Sequence, residues 1–280
     1  MKNVFTIDTE EWFHANYEDN LFSNSAPNIS LIEPEVDVLL QLFEKYNVRA
    51  TFFVLGTVAE AHPAVIKKIA SCGHEIASHG YGHQLAYRQT PEEFRADVLK
   101  SKQILEAVIG KAVCGYRAPS WSITEESLWA LDILEDLGFI YTSSIFPTKN
   151  FLYGIPYAPR FRHDCKIYGK ERLDIINIPP STAKVCGKNV PFSGGAYFRL
   201  MPTGVINLFT RQINKGEEQP VIFYLHPREI DPKQPRLKLK FMDRIIHYYG
   251  IHGCRNKLEK ILNKNEFMTM KDFCSQQKTN

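Results

Sequence analysis

The sequence predicts a single α/β domain whose mostly parallel strands close, or nearly close, into a barrel. Apolar strand-like runs alternate with amphipathic helical patterns along the 280 residues, which is typical of βαβ units. The run RATFFVLG is apolar almost throughout, as expected for a parallel strand covered on both faces. No GxGxxG sequence follows the first strand, which favours a barrel over a doubly wound dinucleotide-binding sheet.

Eight segments are predicted as strands: NVFTID, RATFFVLG, HEIASH, AVCGYR, IYTSSI, LDIINI, PVIFYLH and FMTM. Helical patterns separate or follow them: PEVDVLLQLFEKY, HPAVIKKIASCG, TPEEFRADVLKSKQILEAVIG, TEESLWALDILEDLG, and two basic patterns near 237–249 and 254–263. The third helix has the clearest boundaries. Thr90, Pro91 and Glu93 form a capping-box start, and Gly110 suits the stop.

Composition indicates an ordinary globular protein, with 44% hydrophobic and 23% charged residues. No run of apolar residues is long enough to span a bilayer. The start, MKNVFTIDTEEWF, lacks the apolar core of a signal peptide, so we expect a cytoplasmic protein. Six cysteines without a CxxC pair favour a reduced protein over a disulfide scaffold.

Charge is spread unevenly along the chain. Residues 233–280 carry 11 Lys/Arg against 4 Asp/Glu, a local +7, and the preceding residues carry −4, since the total is +3. We predict a barrel over 1–232 and a basic helical extension over 233–280 packed on the same domain. The extension would contact an anionic membrane or phosphate surface, or its charges are simply the solvated faces of surface helices. No nucleic-acid partner is predicted.

Ionisable side chains stand at the ends of four different predicted strands. Asp8 ends the first strand, His79 the third, Arg117 the fourth and His226 the last long one. In α/β barrels the active-site residues lie at the C-terminal ends of the strands, whereas important residues at the opposite ends contribute to stability. We therefore expect these groups to meet in one site.

The stretch SHGYGH places His79 and His83 four residues apart with glycines between them. Two imidazoles a short loop apart can bind one cation, and an oxygen ligand with an open position would complete a catalytic site. Side chains alternate along a strand, so Asp8 and Glu10 project to the same side. One of them can bind metal and the other can take a proton. The alternatives are a histidine-bearing turn and carboxylates that cap a helix or a surface turn.

The ordered set TIDTE, SHGYGH, GYRAPSW and FYLHP resembles the polysaccharide deacetylase (NodB-homology, carbohydrate esterase 4-like) family. The fold that this resemblance implies is a distorted (β/α)7–8 barrel. GGAYFRLMP and LHPREIDPKQPR are further similar to a subfamily with a C-terminal extension, found with bacterial exopolysaccharide and surface-polysaccharide assembly.

The resemblance also implies roles for individual residues. Asp8 would be the general base and His226 the general acid. His79 and His83 would hold a divalent metal, and Arg117 would orient the base. The metal would be Zn²⁺ first, with Co²⁺, Ni²⁺ or Mn²⁺ as alternatives.

The sequence departs from the family pattern at two positions. Thr9 stands where the family has its metal-binding second Asp, so Glu10 is predicted as the third metal ligand. Thr142 stands where the family has an Asp after the fifth strand. Glu229 or Asp231 would then take over the tuning of the general acid.

The predicted reaction is metal-dependent hydrolysis of an N-acetyl group on an amino sugar, in a surface- or exopolysaccharide precursor, with release of acetate. Trp12, Trp121 and Tyr197 are predicted to contact the sugar, although core packing is the alternative for each. Pro119 and Ser120 are predicted beside them. A backbone N–H near 119–121 would stabilise the oxyanion.

Several alternatives stay open at this stage. The substrate would be an amino-sugar glycan, a nucleotide sugar or a lipid-linked precursor. A deformylase of N-formyl sugars or a cyclic-amide hydrolase would use the same site. A glycoside hydrolase would use paired carboxylates and leave the histidines idle, and an inactive carbohydrate-binding relative would only bind. His14 would line the site or lie at the surface, and the other histidines are predicted to be structural or solvated: His62, His74, His247 and His252.

Overall fold

The computed structural model describes residues 1–14, 29–148, 150, 153–236 and 239–276. Its strands are β1 (Asn3–Thr9), β2 (Thr51–Val54), β3 (Glu75–Ser78), β4 (Gly115–Tyr116), β5 (Tyr141–Thr142), β6 (His163–Asp164), β7 (Ile176–Asn177), β8 (Thr182–Val185), β9 (Lys188–Pro191), β10 (Ile222–Leu225) and β11 (Phe267–Met268). Its α-helices are α1 (Ile32–Lys45), α2 (Gly56–Ala61), α3 (Pro63–Ser71), α4 (Pro91–Ile109), α5 (Ala130–Asp136), α6 (Gly195–Leu200), α7 (Thr203–Arg211), α8 (Phe241–Tyr248), α9 (Ile251–Leu262) and α10 (Met270–Gln276).

One curled sheet of nine strands organises the molecule, in the order β10-β1-β2-β3-β4-β5-β7-β6, with β11 also paired to β1. Every pair is parallel except β6 with β7, and β8–β9 is a separate antiparallel hairpin. The predicted distorted α/β barrel is confirmed, but it is incomplete. Within the described ranges, β10 and β6 end the sheet without pairing to each other.

All eight predicted strands occur, most of them shorter than the apolar runs that predicted them. The sequence analysis missed β6, the β8–β9 hairpin, and the helices α2, α6, α7 and α10. These elements are short, from two to nine residues, so they hold too few periodic positions for a pattern. The capping box of α4 forms as predicted, with Thr90 Oγ1 accepting from the Glu93 N–H at 3.2 Å and Glu93 Oε2 accepting from the Thr90 N–H at 2.8 Å.

The C-terminal residues belong to the same sheet as the N-terminal ones. β11 pairs with β1 through Asn3 and Val4, and the Met270 N–H donates to Thr51 Oγ1 at 2.7 Å. A boundary at 232/233 stays a prediction, because β10 before it and β11 after it both pair with β1.

All six cysteines are free thiols. In the part of the chain that the structure describes, no helix has both the length and the apolar character needed to cross a bilayer.

Candidate active site

The C-terminal ends of the parallel strands bring the predicted polar residues together. β1 ends beside β10 and β2, so Asp8 and Glu10 lie next to His226, which directly follows β10. His79 follows β3, and its N–H donates to the Val54 carbonyl of β2 at 2.9 Å. The groups meet because parallel neighbours end at the same edge of the sheet.

The loop between His79 and His83 is shaped by one half-buried carboxylate on α4, that of Asp97. Asp97 accepts the N–H groups of Tyr81 at 2.8 Å and Gly82 at 3.2 Å. Gly80 has φ +76°, and a Cβ there would lie 2.9 Å from Asp97 Oδ2. Only glycine fits without strain, and this turn aims both imidazoles at the same point.

Glu10 lies between the two histidines. Its Oε1 is 3.0 Å from His79 Nε2 and 3.1 Å from His83 Nε2, and all three side chains are buried. His79 Nδ1 lies 2.8 Å from the Arg117 carbonyl, to which it donates. A neutral His79 therefore turns its Nε2 lone pair towards the carboxylate.

These donor atoms fit a divalent cation. A lone pair facing a carboxylate at 3.0 Å is repulsive unless a proton or a metal ion lies between them. Two imidazole nitrogens, a carboxylate oxygen and space for water match a catalytic Zn²⁺ ligand set. Asp8, Glu10 and His226 form a second group whose ligand atoms also lie within 4.8 Å of one another.

Asp8 is held by Arg117, which is fully buried. Arg117 Nη1 donates to Asp8 Oδ1 at 2.5 Å and to Thr6 Oγ1 at 2.9 Å, while Nη2 donates to Ser143 Oγ at 3.0 Å. The guanidinium thus fixes one carboxylate oxygen of Asp8. The other, Oδ2, faces His226 Nε2 at 4.0 Å.

His226 is oriented by a carboxylate from its own turn. Its Nδ1 lies 3.1 Å from Glu229 Oε2, and Arg199 Nε donates to Glu229 Oε1 at 2.6 Å. Burial opposes a charged imidazole, but the negative charges of Glu10 and Glu229 outweigh it and raise the pKa of His226. Of the two suggested replacements for the family Asp, the structure brings Glu229 to His226. Thr142 instead bonds Ser144, with 2.5 Å between the hydroxyl oxygens.

A cavity of about 660 Å³ opens over these groups and is lined by Asp8, Glu10, His83 and His226. Of the predicted sugar contacts, Ser120, Trp121 and Tyr197 line it and the other two do not. Trp12 has no exposed surface, and its Nε1–H donates to the Ile29 carbonyl at 3.0 Å. Pro119 is also buried. Trp12 and Pro119 thus pack in the interior and not along the cavity, and packing is the alternative that the sequence left open for Trp12.

The predicted oxyanion donor also needs correction in part. The Trp121 N–H donates to the Ala118 carbonyl at 3.0 Å, and Pro119 has no N–H. Ser120 and Trp121 both have positive φ, +51° and +49°. Two adjacent non-glycine residues in this region are strained, which is typical of functional sites.

Three contributions to the cavity were missed or undervalued by the sequence analysis. His14 lines it and stacks on His83, with 5.8 Å between ring centroids. Arg228 lines it, as do Lys240, Phe241, Met242, Asp243 and Ile246, at the start of and along α8. The signal for α8 was the basic amphipathic pattern, which predicted a helix but not its position over the site.

Comparisons with known proteins agree with this geometry. Residues 31–141 match the polysaccharide deacetylase family model, and residues 143–275 match a domain of unknown function, DUF3473. The Bacillus cereus peptidoglycan-N-acetylglucosamine deacetylase is 37% identical over 95 residues, which is 34% of each chain. The Helicobacter pylori peptidoglycan deacetylase is 36% identical over 107 residues, 38% of this chain and 36% of that protein. The chain thus spans about a third of the length of these relatives.

A solved structure supports the fold over the whole chain. A Mycobacterium smegmatis protein assigned as a polysaccharide deacetylase superimposes with a TM-score of 0.62 at 19% identity, covering 99% of this chain and 91% of that one. The shared fold is an incomplete α/β barrel, and in this chain a His-x-x-x-His loop and a carboxylate meet at the strand ends. Residues 31–141 of the chain match the polysaccharide deacetylase family.

Proposed function

We propose that this protein is a metal-dependent amidohydrolase that removes an N-acetyl group from an amino sugar and releases acetate. The observation that carries the proposal is Glu10 Oε1, at 3.0 Å from His79 Nε2 and 3.1 Å from His83 Nε2. Glu10, His79 and His83 would hold the cation, with Zn²⁺ the first choice and Co²⁺, Ni²⁺ or Mn²⁺ the alternatives. When bound, the cation would polarise the amide carbonyl and acidify a water molecule.

Asp8 is the general base of this proposal. Its Oδ1 is fixed by Arg117, and Oδ2 turns into the cavity towards His226. Arg117 binds only Oδ1, which leaves Oδ2 as the oxygen placed to accept a proton, as a general base must. Asp8 would take the proton of the attacking water on Oδ2.

His226 is the general acid. Its Nδ1 is held by Glu229, so Nε2 faces the cavity, 4.0 Å from Asp8 Oδ2 and 3.7 Å from Glu10 Oε1. An amide nitrogen leaves poorly unless it is protonated. His226 would deliver that proton from Nε2, and the free amine and acetate would depart.

The names of two relatives support an amino-sugar substrate for the proposed reaction. The names of the two relatives describe action on peptidoglycan, one specifying N-acetylglucosamine. For this chain we propose a precursor of a surface polysaccharide, as a nucleotide sugar or a lipid-linked sugar. Six free cysteines suit a reducing, cytoplasmic compartment, where such precursors are made.

We further propose peripheral contact with an anionic membrane through α8. Phe241 and Met242 are 66% and 62% exposed, and Lys240 and Arg244 are exposed beside them. Apolar side chains flanked by cations favour an anionic lipid interface. Vesicles with anionic lipid should retain the wild type better than neutral vesicles, and a Phe241→Ser/Met242→Ser variant should lose that retention. Equal retention on both kinds of vesicle contradicts the contact.

The test of the reaction is metal analysis combined with acetate release. Protein as purified is quantified for metal and screened against N-acetylglucosamine oligomers, nucleotide sugars and lipid-linked sugars by mass spectrometry. We expect one divalent metal per chain, loss of acetate release on chelation, and recovery on adding Zn²⁺.

Asp8→Asn and His226→Ala separate catalysis from simple binding. Each should lower kcat by about 100-fold or more, because general acid–base catalysis contributes about 10²–10⁴-fold. Turnover equal to wild type in both variants contradicts the assigned roles. Activity that survives chelation would favour a glycoside hydrolase that uses only carboxylates. Carbohydrate binding without turnover would favour an inactive relative.

A further inference from the structure

Arg228 lines the cavity but has no partner for most of its guanidinium. The residue is 8% exposed, and its enclosed Nε and Nη1 have no hydrogen-bond partner among the residues that the structure describes. Buried polar groups are nearly always hydrogen-bonded, because an unmade hydrogen bond to a buried charge is costly. The other two buried arginines of this region differ, since Arg117 bonds Asp8 and Arg199 bonds Glu229.

Arg228 lies within electrostatic reach of Glu229 and Glu35, but its guanidinium is hydrogen-bonded to neither. No ion pair to Arg228 exists among the residues that the structure describes. Glu35 on α1 is 3% exposed, and both of its carboxylate oxygens also lack partners. Burial and the charges of Asp231 and Glu11 outweigh the opposing charge of Arg228 and raise the pKa of Glu35 to about 9, so its carboxyl is mostly neutral near pH 7. Arg228 therefore lines the cavity with a guanidinium that no described carboxylate bonds directly.

We propose that Arg228 binds a phosphate attached to the amino sugar, so that the substrate of the proposed reaction is a sugar phosphate. Arg228 follows the proposed general acid by two residues, which places this subsite beside the acyl site. A guanidinium presents a planar fork of donors that matches the oxygens of phosphate. The inference rests on the proposed function for its acyl site, but not for its binding of phosphate.

The other lining residues indicate what the phosphate carries. Leu200, Phe241, Met242 and Ile246 line the same cavity and are 49%, 66%, 62% and 42% exposed. An apolar rim next to an anion subsite suits a lipid diphosphate. A nucleoside diphosphate presents the same phosphate chemistry, so the experiment includes both sources.

The experiment compares kcat/KM for substrates that differ only in charge. N-acetylglucosamine 1-phosphate is set against the neutral methyl glycoside of N-acetylglucosamine and against an N-acetylated amino-sugar uronate. UDP-N-acetylglucosamine and a short-chain prenyl diphosphate of N-acetylglucosamine then distinguish the two sources. Wild type should prefer the phosphate over the neutral glycoside, whereas preference for the uronate overturns the assignment of phosphate.

The decisive variant is Arg228→Met, which keeps an unbranched apolar side chain and removes the guanidinium and its charge. The phosphate-to-neutral ratio of kcat/KM should fall by about 10- to 100-fold, as expected for charged hydrogen bonds, and Arg228→Lys should fall less. Arg236→Met is the matched control. Arg236 is exposed and lies outside the cavity, against Tyr248, so this variant should keep the wild-type ratio.

Binding of the products gives a readout that does not need turnover. Glucosamine 1-phosphate should bind wild type more tightly than glucosamine, measured by calorimetry or NMR, and Arg228→Met should abolish the difference. If the difference persists in a folded Arg228→Met protein, Arg228 is structural and the inference is wrong. If no amide is hydrolysed but this binding difference is found, the proposed function fails and the phosphate subsite stands.

Discussion

Glu229 Oε2 lies 3.1 Å from His226 Nδ1, and the other oxygen of the same carboxylate accepts a hydrogen bond from the buried Arg199. Arg199 donates from Nε to Glu229 at 2.6 Å, while its Nη1 and Nη2 donate to the carbonyls of Tyr249 and Ile246. The orientation of His226 therefore depends on a residue of α6 and on the C-terminal end of α8. Glu229 and Arg199 are positioning residues in this arrangement.

Replacing Glu229 with Gln should lower kcat by at least about 10-fold with little change in KM, because the ring of His226 loses its charged partner. The ring orientation, followed by NMR of the imidazole nitrogens, should change in the same variant. Glu171→Gln is the matched control, since Glu171 is exposed. Equal kcat for Glu229→Gln and Glu171→Gln, with unchanged imidazole signals, would show that Glu229 does not position His226.

Loss of a proposed metal ligand should be visible in metal content. His83→Ala and Glu10→Gln should each reduce bound metal, measured by elemental analysis after dialysis, because each removes one of three protein ligands. His252→Ala is the control, because this imidazole is exposed on α9. Full metal content in both site variants would show that the cation is bound by other residues.

Gly80→Ala should destabilise the histidine loop. A left-handed alanine costs about 1–2 kcal/mol, and its Cβ would lie 2.9 Å from Asp97 Oδ2. Gly110→Ala is the matched control, since its φ is +67° and nothing lies within 4 Å of a Cβ there. Both variants should lower the free energy of unfolding, measured in urea, but only Gly80→Ala should also weaken metal binding. Equal metal affinity in the two would contradict our account of the loop.

Glu35 should make the protein less stable as the pH rises. Its pKa is about 9 in the folded protein, above the ordinary 4.5, so its stabilising contribution is complete below pH 4.5 and is lost as the pH rises towards 9. Glu35→Gln should therefore raise the free energy of unfolding by ~2 kcal/mol at pH 8 and by less near pH 4.5. Glu33→Gln, exposed on the same helix, is the control. A difference that does not grow with pH would contradict the raised pKa.

The site residues could be grouped from the sequence because each of them stands at a recognisable position, the end of a predicted strand. Asp8, His79, Arg117 and His226 each stand at the end of an apolar run, and parallel strands bring such ends together whatever the details of packing. The alternation of side chains likewise placed Glu10 on the side of Asp8. These arguments need only the order of the elements.

The positions that could not be predicted from the sequence depend on packing between segments that are distant along the chain. Arg199 meets Glu229 across 30 residues through a six-residue helix, and no periodicity marks that contact. Trp12 follows the site strand directly, yet its indole turns away to the Ile29 carbonyl. Neighbours in sequence can thus face opposite layers, and only the assembled structure shows which residue reaches the cavity.

The placement of β1 has a consequence for the order in which its strand pairs can form during synthesis. The strand that carries Asp8 pairs with β2 early in the chain, but also with Ile222–Leu225 and with Phe267–Met268. During synthesis from the N-terminus, these last two partners emerge from the ribosome more than 200 residues later. A chain synthesised from its N-terminus therefore has β2, but neither β10 nor β11, to pair with the strand that carries Asp8 until residues 222–225 have been made.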